Sequence, residues 1–156
     1  MKLSFRIKHH FFSAFREIFV HHHGSLEFRA KLFALLIAAN DKPRVENYIL
    51  VKELATNIYK NDEDRANLLL LTTKELVEKV KKQNGLDLDL LVATIQKELK
   101  IVPRYANKID LGDLQKFLLH SSDEDTHAYQ QNILEFLAKL QTEALENTKS
   151  STKENR

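Results

Sequence analysis

The sequence predicts an all-α fold, a single domain of about seven helices. Three observations carry that expectation. Apolar residues recur at intervals of three and four along most of the chain. Only 3 glycines and 2 prolines punctuate 156 residues, too few turn formers for the many hairpins of an all-β domain. The single alternating stretch, Leu86-Asp87-Leu88-Asp89-Leu90, has no second strand to pair with.

The helices are predicted in order as follows. Phe11, Phe15, Ile18 and Phe19 stand at i, i+4, i+7 and i+8, one stripe of an amphipathic helix. Gly24-Ser25 can end it and cap the next, whose stripe is Leu32, Leu35, Leu36 and Ala39. That helix stops at Asn40-Asp41-Lys42-Pro43, and Pro43 suits the first turn of a third helix, where its missing N–H leaves no gap. Tyr48, Val51, Leu54, Ala55 and Ile58 form the third stripe. Asn61-Asp62 breaks it, and Asp62 can cap a long fourth helix through Leu69, Leu76 and Val80 to a stop at Asn84-Gly85. Leu88, Val92, Ile95 and Leu99 then continue at helical spacing, so the alternating stretch is read as helix. Lys100 to Lys108, with Pro103, reads as a long loop. A short helix with Leu111, Leu114, Phe117 and Leu118 runs out at Ser121-Ser122-Asp123. The last helix presents Tyr129, Ile133, Phe136, Leu137 and Leu140 on one face. From about Thr142 the apolar pattern fades into Thr, Lys, Ser and Glu, a frayed or disordered tail. The expected division is residues 1–23 as a basic, aromatic-rich helix, 24–141 as a helical core and 142–156 as the tail.

Composition limits the chemistry. With no cysteine, the chain can form neither a disulfide scaffold nor a thiolate metal site. Net charge is +2, too balanced for a whole-domain nucleic-acid binder. The charge is unevenly placed: residues 1–31 carry +4 and five of the seven histidines, and the remainder carries −2. No stretch approaches a membrane span, and no signal-peptide core precedes Arg6, Lys8, His9 and His10, so a cytoplasmic location is expected. There is no Gly-rich phosphate loop, nucleophile elbow or HExxH, and the three glycines Gly24, Gly85 and Gly112 stand too far apart for a nucleotide cradle. The expectation is a protein that is not an enzyme. The lysines Lys74, Lys79, Lys81 and Lys82 interleave with Glu75 and Glu78 and read as a solvated face.

Shifting the chain by 82 residues brings two helix–turn–helix units into register. Leu32 falls on Leu114, Leu35 on Phe117, Leu36 on Leu118, Ile37 on Leu119, Val51 on Ile133, Leu54 on Phe136 and Ile58 on Leu140. Asp41 falls on Asp123. The shift predicts a pseudo-two-fold bundle of two hairpins presenting similar acidic turns.

Ala38-Ala39-Asn40-Asp41 leading into an amphipathic helix, repeated at Phe117 through Asp123 with Tyr129, Ile133, Phe136 and Leu137 following, resembles the TerB-like (tellurite-resistance) helical family. The resemblance covers roughly residues 25–141. The family's Asp is usually followed by Gly, where this chain has Lys42 and Glu124, and its downstream Glu is Tyr48 in one unit and Gln130 in the other. The resemblance implies an association with stress responses, membrane-linked partner complexes and divalent cations held by acidic clusters. A related domain accompanies a membrane-anchored DnaJ-type co-chaperone.

Three candidate sites follow. Asp41, Glu46, Asp123, Glu124 and Asp125 can supply oxygen ligands for Ca²⁺ or Mg²⁺ if the two turns meet; otherwise the aspartates act as helix caps. Glu124 and His127 have the Glu-x-x-His spacing of carboxylate metal bundles in a single copy, with His120 nearby, and read as exposed polar residues. His21-His22-His23 point about 100° apart on a helix and form no shared face. The N-terminal arm, with Phe11, Phe15, Phe19, Lys8 and Arg16, can pack on the domain, form a homodimer, dock on a protein partner, or lie at the inner face of an anionic membrane. The function expected is a non-enzymatic interaction protein linked to stress or the envelope, with a cation-binding regulatory domain as the alternative.

Overall fold

A computed structural model of the chain describes residues 24–154. It is a single-domain helical bundle. Among the described residues there are six α-helices and two 3-10 helices, and no strand. They are α1 (Gly24–Ala38), α2 (Val45–Ile58), α3 (Glu63–Lys81), α4 (Leu88–Ile101), a 3-10 helix at Pro103–Lys108, α5 (Leu111–Gln115), a second 3-10 helix at Lys116–His120, and α6 (Glu124–Glu154). The N-terminal arm, including Phe11, Phe15, Phe19, Lys8, Arg16 and the His21-His22-His23 run, lies outside the described residues.

Helix α1 is the axis of the bundle. Eleven of its fifteen residues are buried, including the unbroken run Leu32–Ala38. The single stripe expected from the sequence is therefore too narrow: a helix apolar on every side is covered on every side. Helices α3, α4, α5 and the Pro103–Lys108 segment all pack on it. Lys31 is the one charged residue buried with this helix, and its ammonium meets Glu98 of α4.

Helices α2 and α3 form an antiparallel hairpin closed by Asn61 in the left-handed region (φ 65°), a conformation asparagine tolerates. Asp62 caps α3 as expected, accepting from the Arg65 N–H at 3.1 Å. Pro43 sits outside α2, whose N-cap is Arg44 without a side-chain cap. The buried face of α2 is Asn47, Leu50, Val51, Leu54 and Ala55, rotated from the expected stripe so that Tyr48 and Ile58 are only partly covered. Asn47 is the misfit: it is fully buried, and both its amide atoms lack a hydrogen-bond partner. An unpaired buried polar group costs about 1–3 kcal/mol. Leucine has the same number of side-chain heavy atoms, so Asn47→Leu is expected to stabilise the fold by about 1–2 kcal/mol, read as a higher urea midpoint. An unchanged or lower midpoint would contradict the assignment.

Helix α4 starts at Leu88, after its cap Asp87, which accepts from the Leu90 N–H at 2.7 Å. The alternating leucines thus span a cap and one helical turn, and Leu91, Ile95 and Leu99 carry the buried face. The expected long loop is a correction. Helix α4 runs on to Ile101 and Pro103–Lys108 is helical, with Pro103 at its first turn. The segment is ordered by contacts the local sequence does not reveal: the Tyr105 ring stacks on Phe28 (5.2 Å between centroids), and the Gln141 amide donates to the carbonyls of Ala106 and Ile109 at 2.9 and 2.8 Å.

The tail is a second correction. Helix α6 continues to Glu154 without a break, about 46 Å of helix at 1.5 Å per residue. Its last buried residue is Ala144, and from Glu146 onward every described residue is exposed. Hydroxyls of Thr148 and Thr152 fold back onto carbonyls one turn earlier. Tyr129, expected on the packed face, is 42% exposed, and the neighbouring Gln130 takes the buried position instead.

Candidate functional site

The two acidic turns come together. Asn40, 1% exposed, accepts from the Ser122 N–H at 3.0 Å and donates to its own helix at Ile37. Asn40 and Ser122 are 82 residues apart, the spacing of the internal repeat. Gln130 donates to the Leu36 carbonyl at 2.9 Å, while Ser121 Oγ stands 2.5 Å from the Gln130 carbonyl oxygen. The repeat pairs Leu32/Leu114, Leu35/Phe117, Leu36/Leu118 and Val51/Ile133 are buried on both sides. Ile37/Leu119 breaks the pattern, since Leu119 is 82% exposed.

The carboxylates themselves do not converge. Asp41, Glu46, Asp123, Glu124 and Asp125 are all exposed. Asp41 stands close enough to Lys81 to oppose the lowering of that ammonium's pKa by burial. Asp123 caps α6, accepting from the Thr126 N–H at 2.7 Å, and Glu124 and Asp125 lie in the first turn, where the helix dipole favours them. Among the described residues no group of three or more His, Asp or Glu side chains is placed to hold a metal ion. His127 lies 3.4 Å from both Ser121 Oγ and the Leu118 carbonyl, close to the turn's own polar groups.

Hydrogen bonds from the Thr126 backbone and hydroxyl hold the Asp123 carboxyl below the ordinary aspartate value of 3.8. Its folded-state pKa is depressed, so its stabilising contribution is complete above that ordinary value and is lost as pH falls through the folded one. Asp123→Ala is accordingly expected to lower the melting temperature near neutral pH. The difference from the wild-type chain should close in acid; a difference independent of pH would refute the cap as its cause.

A groove forms the larger feature. It lies between the C-terminal end of α4, the Pro103–Lys108 segment and the outer half of α6, with a volume of about 750 Å³. Leu99, Leu140 and Ala144 supply apolar surface, joined by Ile101, Val102 and Pro103. Ile101 is 68% exposed. Lys100, Arg104, Glu143, Asn147 and Thr148 supply polar groups. Gln141 fixes the geometry by tying the 3-10 segment to α6. Sequence reasoning missed the groove because it read one wall as loop and the other as tail. The available signal was Ile101-Val102-Pro103, an apolar triplet where a solvated loop would be polar.

No helix among the described residues is long and apolar enough to cross a membrane. Comparison with family models, curated proteins and solved structures finds no match to this chain.

Proposed function

We propose that this chain is a non-enzymatic interaction domain that receives an amphipathic helix in the groove between α4, Pro103–Lys108 and α6. The observation that carries the reading is the exposure of Ile101 beside an apolar groove, on a bundle whose other end is closed by the Asn40–Ser122 junction. Helix-in-groove recognition needs an apolar trough with polar margins, and the side chains here supply both. Kinship with TerB-like domains belongs to the same proposal. Its support is the contact between Asn40 and Ser122, equivalent positions of the two repeats, as expected for residues at a pseudo-two-fold axis.

The test is selection of a random helical peptide library on the full-length chain carrying Phe11→Ser, Phe15→Ser and Phe19→Ser, which removes the chain's own aromatic stripe as a competitor. Enriched peptides should carry apolar residues at i, i+4 and i+7, and Ile101→Glu should weaken them about tenfold or more, equivalent to about 1.4 kcal/mol. Failure to enrich, or binding indifferent to Ile101→Glu, would end the proposal.

A further inference from the structure

We infer that the groove has an occupant within this chain: residues 1–23, seated with Phe11, Phe15 and Phe19 toward Leu99, Leu140 and Ala144. The inference rests on the groove reading above and names its ligand. The first support is position. A methyl group built on Gly24 would collide with the Tyr105 hydroxyl, so the described chain begins against that side chain. The Arg104 guanidinium lies over the Tyr105 ring at 5.8 Å, and Arg104 lines the groove. One aromatic ring therefore separates the start of α1 from the groove.

The second support is length. Val20–His23 join Phe19 to Gly24, and four extended residues reach up to about 13 Å, enough to pass a tyrosine ring. The sequence spacing from Phe11 to Phe19 corresponds to about 12 Å of helix. The α6 wall from Leu140 to Ser151 offers about 16 Å. The third support is composition: five phenylalanines precede Gly24, an apolar surface that needs cover. A segment held in this way would make the groove self-occupied, and an outside helix would bind only by displacing it.

The absence of cysteine allows a clean test on the full-length chain. A nitroxide is attached at Ser13→Cys, which faces away from the phenylalanine stripe if that stretch is helical, and amide signals are recorded. Signals from Gln96 to Arg104 and Leu140 to Ser151 should lose most of their intensity. Phe15→Ser with Phe19→Ser should restore them while the rest of the spectrum stays in place. Unchanged groove signals, or broadening centred elsewhere, would overturn the inference. So would groove broadening seen only when labelled and isotope-enriched chains are mixed, which would make a second copy the occupant. Flotation of the chain on anionic vesicles without groove broadening would assign the segment to a membrane surface and equally overturn it. If the label leaves the groove untouched but library peptides still bind there, the groove reading stands and only its self-occupancy fails. If neither binds, both fall.

Discussion

Glu98→Ala is expected to lower stability by about 3 kcal/mol, near the low end of what breaking a buried ion pair costs. The Lys31 ammonium sits on the axial helix with its side chain only 10% exposed, and Glu98 is the partner it meets. Removing the carboxylate leaves a charge among Leu35, Ile95 and their neighbours with no water to replace it. Glu98 itself is 27% exposed, so solvent reaches part of the pair and keeps the loss at the lower end of the range. The second carboxylate oxygen, Oε2, is buried without a partner, which shows that the pair is incompletely satisfied. The double variant Lys31→Met with Glu98→Leu is therefore expected to regain the lost stability and can exceed the wild-type chain by about 1 kcal/mol or more. Urea midpoints of the two singles and the double decide the matter. A double variant as unstable as Glu98→Ala would show that packing around these residues, not charge, sets the cost.

Phe28→Ala is expected to be at least as severe, about 3–5 kcal/mol for a fully buried aromatic. Its ring stacks against Tyr105, and Tyr105 positions the 3-10 segment that forms one wall of the groove. A comparison with Phe117→Ala separates fold from site. Phe117 is equally buried and packs against Phe33 at 5.4 Å, within the repeat and away from Pro103–Lys108. The two variants should lose similar stability. Under conditions where both stay folded, peptide binding in the groove should fall for Phe28→Ala and persist for Phe117→Ala. Equal binding would mean that Tyr105 holds the wall without its stacking partner.

The helices were legible because amphipathic spacing is a local property, and caps such as Asp62 are written within four residues of what they satisfy. The meeting of the turns was half legible: the 82-residue shift aligned Asp41 with Asp123, whereas the contact itself falls to Asn40 and Ser122, one position earlier in each turn. What the sequence concealed was order imposed from afar. Pro103–Lys108 reads as loop because its stabilising partners, Phe28 and Gln141, lie 77 residues before Tyr105 and 35 residues after Ala106. The end of α6 reads as tail because polar helix formers show no buried stripe. Lys31 did leave a signal, a lone cation inside an apolar run from Leu26 to Ala39, which demands an acid from another helix. Nothing in the sequence distinguished Glu98 from the other glutamates as that acid.

An axle enclosed on all sides leaves no half-dismantled state that keeps its grease inside. Detaching α3 or α4 strips one flank of Leu32–Ala38 bare, and the uncovered rod would be attractive to any other unfolded chain or holdase chaperone. The bundle should accordingly melt in a single sharp transition, with clumping rather than a soluble intermediate as the fate of molecules that linger partway.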